Sequence, residues 1–320
     1  MLNIRQISWR TAIKNVYVFG ILAGVVIIFT IISAKFISPP SLAFLIQKVA
    51  PLLICSVAVT LLMMSGHLDL SVGSILAFSG VIMALLSRGG IPAWRAVIIC
   101  VILGAVLGSA NGFLTVKLRI TPVIGTLVTM NILLGAAKIL CGDSIPYVKG
   151  VQRDFSIIGR GKIEGWPISI FFIIAAIIIF LILQRKSVFG KYAIAIGGNR
   201  DAASLAGINV NKIVWLLYIF SGTAAAMAGC LTASNMNVAD ATSGQGFELD
   251  VITAILIGGT SWSGGEGSVV RTIAGAFLVA VLSIGLNMAN VPSFYQYVVK
   301  GGVLIAAVYL DKIVREKISV

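Results

Sequence analysis

Few residues in this sequence have side chains that could do chemistry. The acidic candidates beside apolar runs are Asp69, Glu248, Asp250 and Glu266, and His67 is the only histidine. A metal centre needs several ligands at close spacing, and neither this histidine nor the four cysteines show such spacing. No nucleophile, base and orienting trio is visible, and no phosphate loop of the G-x-x-x-x-G-K-[ST] form is present. We therefore expect neither an enzyme nor a metal site, and no cofactor bound by the chain itself.

The composition indicates a polytopic membrane protein. Of the 320 residues, 58% are hydrophobic and 11% are charged, and the mean hydropathy is +1.05. Soluble domains carry about 25% charged residues, so this is not a soluble fold. The net charge of +13 comes from basic residues scattered at the edges of apolar runs. This distribution is a topology signal, and no basic stripe typical of nucleic-acid binding is present.

Ten apolar runs predict membrane-spanning helices. They cover residues 16–34, 45–65, 68–87, 94–116, 121–140, 167–184, 213–234, 248–261, 269–289 and 293–310. Arg5, Arg10 and Lys14 precede the first run, which indicates an uncleaved cytoplasmic start, and an even count returns the C-terminus to the cytoplasm. Inner loops and tails then hold 14 of the 24 Lys and Arg, outer loops hold 9, and Lys300 lies within the last run. We predict one all-α domain over residues 1–320.

Ionisable residues at membrane depth are costly and are candidates for function. Asp69, helped by Ser71, and Asp250 each stand at the start of a predicted span, where a carboxylate caps free N–H groups. We favour a helix-cap or gate role for these residues over a proton relay. A relay would need charges deep inside spans, and Lys300 is the one plausible example.

The longest outer segment, residues 141–166, collects basic charge. Five of the nine outer cations lie in or beside it: Lys138, Lys149, Arg153, Arg160 and Lys162. Two interpretations stay open, a hairpin that returns the chain to the membrane or a docking surface for an external partner.

The stretch from Gly190 to Val210 is a long segment in which polar and glycine residues interrupt the apolar ones. It lies inside a predicted cytoplasmic loop of residues 185–212, and we interpret the rest of the chain as serving it. Gly197 and Gly198 are expected to break the preceding structure. Asn199 is a good N-cap, Asp201 suits the first turn and Gly207 is a typical terminator, which predicts a short helix over 199–206. Small residues leave the helix slim, and Leu205 offers one apolar side chain; the small residues are Ala202, Ala203, Ser204 and Ala206. The helix is either an ordinary connector or a joint that fits a partner's groove.

Two glycine patterns have structural interpretations. Gly104, Gly108 and Gly112 are spaced by four, which lets two membrane helices approach closely. The glycine-rich residues 258–268 lack the lysine of a phosphate loop, and we expect a tight turn between a broken helix and its successor.

Two acid-led segments resemble each other. LDLSVGSIL at 68–76 is echoed by LDVITAIL at 249–256, and GAVL at 104–107 by GAFL at 275–278. An odd number of crossings separates the two aspartates, so they enter from opposite sides. This predicts an inverted repeat, which in transporters places the pathway at the repeat interface.

Three motifs resemble a known family in order and spacing. LDLSVGS at 68–74, GGNRDAASLAGINV at 197–210 and ELDVITAILIGGTSWSGGEGS at 248–268 are similar to the ribose-type permeases of bacterial ABC importers, and the likeness continues through PSFYQYVVKG at 292–301. That group also includes arabinose, xylose, galactose and autoinducer-2 permeases. The motifs are specific for the family and not for the substrate.

The resemblance implies a type II ABC importer permease fold in the bacterial inner membrane. It implies a second permease subunit, identical or paralogous, a cytoplasmic ATPase that binds ATP and Mg²⁺, and a periplasmic or lipid-anchored sugar-binding protein. The predicted short helix becomes the coupling helix that fits the ATPase. The positions that match its motif are Gly198, Asn199, Asp201, Ala202, Leu205 and Gly207.

A sugar passing through a weakly binding pathway needs neutral hydrogen-bonding groups. The candidates are Thr126, Thr129 and Asn131 on the fifth span, with Asn287 and Tyr295 near the ninth and tenth. Hydroxyls bonded back to their own helix are the alternative. The substrate itself stays open between a sugar and another small solute such as a branched-chain amino acid or nucleoside. An ion-coupled secondary carrier is the rival of another class.

Overall fold

The computed structural model describes residues 4–142, 147–149 and 153–316. The described helices are α1 Ile4–Ile32, α2 Pro39–Met64, α3 Val72–Arg88, α4 Ala93–Gly112, α5 Pro122–Cys141, α6 Ile157–Arg160, α7 Ser169–Arg185, α8 Val188–Gly198, α9 Arg200–Leu205, α10 Val210–Met236, α11 Phe247–Ile257, α12 Val269–Met288 and α13 Ser293–Glu316. The described strands are β1 Tyr147–Lys149, β2 Lys162–Ile163, β3 Trp166–Pro167 and β4 Val238–Asp240.

Each of the ten predicted spans overlaps one of the longer helices. Among the described residues, five helices are long and apolar enough to cross a membrane: α2, α4 with the π-helical turn Phe113–Lys117 that continues it, α5, α10 and α12. The pair α7 and α8, bent by 63° at a short break, passes the same test as a sixth. The all-α polytopic class is therefore confirmed, while the count of ten spans and the side on which the termini lie stay predictions.

Helices α2 and α10 form the centre of the bundle. Every residue from Val49 to Met64 on α2 is buried, and α10 packs against α2, α3 and α4. A helix that is apolar on all sides lies either in a protein interior or in lipid, and α2 and α10 are surrounded by neighbouring helices. The surrounding helices α5 and α7 instead expose large apolar side chains, among them Ile132 and Ile178.

The glycines of α4 lie against α10. A Cβ on Gly108 would be 2.2 Å from the carbonyl oxygen of Tyr218, and one on Gly104 would be 2.4 Å from the Cβ of Ala226. Gly112 packs against the indole ring of Trp215, whose Nε1 donates to the Ser109 hydroxyl at 2.9 Å. At Gly104 and Gly108 the two backbones approach too closely for any side chain.

Two breaks bring the starts of α3 and α11 together. Residues 65–71 separate α2 from α3, and residues 237–246 separate α10 from α11. A Cβ on Gly73 would be 2.3 Å from the carbonyl oxygen of Gly244, so the first turn of α3 is in direct backbone contact with the break before α11. α3 packs on α4, α5 and α10, whereas α11 packs on α12, α13 and α2. This exchange of partners is the arrangement expected of an inverted repeat.

The register of the repeat differs from the one that the sequence echo predicts. Asp69 lies three residues before the first residue of α3, but Asp250 lies three residues after the first residue of α11. The two aspartates are therefore not equivalent in structure. The echo aligned the acidic residues, whereas the break before α3 extends further along the chain than the motif indicates.

The outer segment after α5 packs onto the ends of several helices. β1 pairs antiparallel with β4, and β2 pairs with β3 around a turn at Glu164–Gly165. The Asp154 carboxylate accepts the backbone N–H of Ala93 at 2.7 Å at the start of α4. Of the basic residues predicted to cluster here, the side chains of Lys149 and Arg153 lie outside the described part of the chain.

Candidate functional site

The predicted coupling segment consists of two short helices. α8 begins after Ser187, whose hydroxyl accepts the backbone N–H of Phe189 at 3.2 Å, and it continues through Gly197 and Gly198. The expectation that these glycines break the preceding structure is corrected: they are the last residues of α8. Close packing requires glycine at position 197, because a Cβ there would be 2.1 Å from the Met64 carbonyl oxygen.

The second helix, α9, has the boundaries that its capping residues predict. Asn199 Oδ1 accepts the N–H of Ala202 at 2.9 Å, and Asp201 lies in the first turn. Beyond its last residue, Gly207 has φ +84° and its N–H donates to the Ser204 carbonyl, while the Ile208 N–H donates to the Ala203 carbonyl. This is the Schellman termination that glycine favours. Caps at both ends keep so short a helix in one conformation.

α9 presents an apolar side chain to the outside of the bundle. Ala203 is buried beneath the helix, whereas Leu205 is 91% exposed. The other residues matching the coupling motif are also exposed: Gly198, Asn199, Asp201, Ala202 and Gly207. A capped helix with one large apolar side chain at its tip is suited to insertion into a groove on a partner protein.

A buried polar centre lies in the break between α2 and α3. Asp69 is 2% exposed, and its Oδ1 accepts the Ser71 N–H at 3.0 Å and the Ser71 hydroxyl at 2.6 Å. Its Oδ2 accepts the Ser221 hydroxyl of α10 at 2.7 Å. Asn111 of α4 donates to Asp69 Oδ1 at 3.3 Å and to Ser71 Oγ at 2.7 Å. Asp69 thus accepts a backbone N–H next to the start of α3, but it also binds two other helices.

The depth of this centre follows from Ser221. Ser221 lies eleven residues into α10, about 16 Å along the helix axis at 1.5 Å per residue. A carboxylate at that depth needs donors from every side, because an uncompensated buried charge is strongly unfavourable. Spacing in the sequence could not reveal Ser221, which is 152 residues from its partner.

Aromatic and imidazole groups line the same break. The Tyr218 hydroxyl donates to the Leu68 carbonyl at 3.2 Å, and its ring meets His67 edge to face at 6.3 Å between centroids. His67 lies between two predicted spans, and its Nδ1 is 2.9 Å from the Ser65 carbonyl oxygen. Burial lowers the pKa of His67 to about 4, with the Arg200 cation acting in the same direction and the Ser65 carbonyl opposing it. The imidazole is therefore neutral at physiological pH.

The second acidic position forms an ion pair across two helices. Asp250 Oδ2 of α11 is 2.7 Å from the Lys300 ammonium of α13, and both side chains are partly exposed. Lys300 therefore pairs with a carboxylate of a neighbouring helix. Glu248 lies nearby, with its carboxylate 2.5 Å from where a Cβ on Gly73 would be.

The predicted pathway residues are not brought together as one cluster. Thr126 is buried and accepts the Leu70 N–H at 3.2 Å, while its hydroxyl donates to Pro122. Thr129 and Asn131 bond back to the carbonyls of Gly125 and Leu127. On the other side of the repeat, exposed Asn287 donates to the Ser283 carbonyl and accepts from Gln296, and Tyr295 is exposed.

The glycine-rich residues 258–268 form a turn between α11 and α12, and two polar residues that the sequence did not single out fasten it. Arg271, which is buried, donates through Nε to the Gly258 carbonyl at 2.8 Å. Gln184 at the end of α7 donates to the Gly267 carbonyl at 3.2 Å and accepts the Val269 N–H at 3.0 Å. Within the described residues, no group of three or more His, Cys, Asp or Glu is placed to hold a metal ion.

A helical membrane bundle in which α3 and α11 begin against each other in the interior, with a capped helix exposed outside it, is typical of polytopic transport proteins. The family model described as "Branched-chain amino acid transport system / permease component" matches residues 41–308. The chain therefore belongs to this permease family, and it is a transport subunit.

Relatives agree with this assignment over nearly the whole chain. The ribose import permease protein RbsC of Bacillus subtilis is 37% identical over 90% of this chain and 89% of the relative. RbsC of Escherichia coli K12 is 33% identical over 95% and 94%. The L-arabinose permease protein AraH of Azospirillum brasilense is 34% identical over 91% and 87%. The resemblance to ribose-type permeases is confirmed. No solved structure matches the chain.

Proposed function

We propose that this chain is the membrane-spanning subunit of an ATP-driven importer that moves a small sugar by alternating access. The observation that carries this proposal is α9: a helix capped by Asn199, ended by Gly207 and tipped by exposed Leu205. Relatives named as ribose and arabinose permeases support a pentose or a related sugar as the substrate.

The partner that fits α9 is a cytoplasmic ATPase subunit. The sequence has no phosphate loop, so ATP and Mg²⁺ bind to that partner. When the ATPase closes, its groove moves α9, and α9 moves α8 and α10 because the three helices are continuous in the chain. The caps make this transmission efficient, since a frayed helix would absorb the movement.

The sugar pathway follows the repeat interface and uses neutral side chains. Thr126, Thr129 and Asn131 lie along α5, and Asn287 and Tyr295 lie around the start of α13. Exposed Asn131 lies beside exposed apolar residues of α5, where a second permease subunit, identical or paralogous, would complete the pathway.

Outside the membrane, we propose that a periplasmic or lipid-anchored sugar-binding protein delivers the substrate. The predicted topology places the segment between α5 and α7 on this side, and its basic residues, such as Lys162, suit a partner with acidic groups. The same topology puts both termini in the cytoplasm. The bacterial permease relatives support a bacterial inner membrane as the location of the chain.

Copurification tests the assembly. This chain, tagged at one end, is extracted in mild detergent from membranes of its native host, and the proteins that accompany it are identified. We expect an ATPase subunit together with a sugar-binding protein. Recovery of the chain alone, under conditions that preserve another importer complex in the same membranes, would contradict the proposal.

A branched-chain amino acid is the second candidate substrate, because the matched family is named for such systems. The ligand of the copurified binding protein separates the two. Titration with labelled ribose, arabinose and leucine identifies the class, and binding of leucine alone would replace the sugar assignment.

A further inference from the structure

Three separate parts of the chain meet at the base of the coupling segment. A Cβ on Gly197 would be 2.1 Å from the Met64 carbonyl oxygen and 2.4 Å from the Gly265 nitrogen. A Cβ on Gly264 would be 2.6 Å from the Gly66 nitrogen and 3.0 Å from the Gly197 Cα. We call these four glycines, Gly66, Gly197, Gly264 and Gly265, the glycine junction.

The contact at the junction is made by backbone. The Gly265 N–H donates to the Met64 carbonyl at 2.9 Å, which joins the turn after α11 to the last residue of α2. Gly66, Gly264 and Gly265 have φ of +77°, +82° and +79°. Glycine is needed twice over, for its left-handed conformation and for the missing Cβ. Backbone in direct contact with backbone has no side-chain rotamers to absorb a displacement.

Each part of the junction leads to an element of the repeat interface. Gly66 is followed within three residues by Asp69, which binds α4 and α10. Gly264 and Gly265 belong to the turn that Arg271 and Gln184 fasten to the start of α12. Gly197 precedes α9 by three residues. The junction thus connects the end of α8, just before α9, to the Asp69 break and to the turn before α12 without passing through α10.

We propose that the glycine junction is a second coupling element, which passes movement of α9 directly to the Asp69 break and to the start of α12. Gly197 is its positioning residue. This assigns a role to the glycine-rich residues 258–268, which the coupling helix alone does not explain. The inference rests on the proposed function, since it needs an ATPase that moves α9.

The test measures coupling in the complete complex. The permease, its ATPase and its binding protein are reconstituted in liposomes, and sugar uptake and ATP hydrolysis are recorded together. We expect Gly197→Ala to keep ATPase binding and hydrolysis but to lower the sugar transported per ATP by about tenfold or more, the change that about 1.4 kcal/mol makes in an equilibrium. Simple loss of stability would lower both activities in proportion to the amount of folded complex.

Matched controls separate packing from backbone strain. Gly20→Ala adds a methyl to α1 at a position where nothing lies within 4 Å of the new Cβ. Gly90→Ala adds one at a residue with φ +85° where nothing lies within 4 Å either. Both controls are expected to stay within about twofold of the unmodified chain. If Gly197→Ala prevents assembly of the complex, Gly265→Ala, whose Cβ would meet Gly198 Cα at 3.1 Å, provides a milder variant.

The outcomes are distinct. The coupling role of the junction is supported if the unmodified complex shows ATP-dependent uptake and Gly197→Ala or Gly265→Ala transports much less sugar per ATP hydrolysed. An assembled variant that transports as much sugar per ATP as Gly90→Ala overturns it and leaves the proposed function intact. Absence of ATP-dependent uptake by the unmodified complex overturns the proposed function, and the junction's role with it.

Discussion

Replacing Leu205 changes one exposed side chain on α9 and nothing in the buried bundle. At 91% exposure, the side chain contributes little to the stability of the isolated chain. Fully burying a leucine in a partner's groove contributes about 1.5–3 kcal/mol, so Leu205→Ala should weaken ATPase binding by roughly ten- to a hundredfold. Leu205→Asp should weaken it further, because a carboxylate would be buried in an apolar groove without a partner.

Binding of the purified ATPase subunit to the permease in nanodiscs measures this effect, and uptake in the reconstituted complex measures its consequence. Thermal unfolding should stay the same for both variants, since the site is exposed. Leu118→Ala is a matched control, because this leucine is 52% exposed in a different predicted cytoplasmic loop. Unchanged ATPase affinity in Leu205→Asp, with normal uptake, would refute the coupling role of α9.

Three further predictions concern the polar groups. Ser221→Ala should lower the free energy of unfolding by about 0.6–2 kcal/mol, since membrane hydrogen bonds average near the lower value and bonds to charged groups exceed it. The control Thr223→Val should lower it less, because the Thr223 hydroxyl bonds within its own helix. Equal effects of the two variants in detergent unfolding would contradict a stabilising bond from Ser221 to Asp69. Asp250→Asn or Lys300→Met alone should impair uptake more than the double variant, because each single change leaves one charge without its partner; additive losses would contradict pairing. Burial lowers the His67 pKa from 6.5 to about 4, so between these pH values the unfolded chain binds a proton that the folded chain does not. The free energy of unfolding should therefore fall by about 3 kcal/mol as the pH drops from 6.5 to 4. The same pH profile in His67→Gln would contradict this assignment.

Local capping chemistry made α9 predictable. Asn199 and Gly207 act within three or four residues along the chain, so their types and spacing determine where the helix begins and ends. The membrane class was predictable for a similar reason, since hydropathy sums over about 20 neighbouring residues. The spacing of Gly104, Gly108 and Gly112 likewise predicts close helix packing. It does not predict that the partner helix is α10.

Long-range contacts explain what the sequence did not show. Gly197 and Gly198 look like helix breakers because glycine has low helix propensity, yet they are the last two residues of α8. Gly197 is needed there because Met64 and Gly265 occupy the space that a Cβ would fill. The partners of Asp69 on α4 and α10 are 42 and 152 residues away, at distances where spacing carries no signal. Equally, Asp250 resembles Asp69 in its motif but is partnered by Lys300, which lies 50 residues further on.

The energy source of uptake tests the central proposal most directly. Cells expressing the complete complex are given labelled ribose or arabinose, once with cellular ATP depleted and once with the ion gradient collapsed by an uncoupler while ATP is maintained. An ATP-driven permease predicts that uptake stops on ATP depletion and persists with the uncoupler. Uptake that survives ATP depletion and stops with the uncoupler would contradict it and identify an ion-coupled carrier.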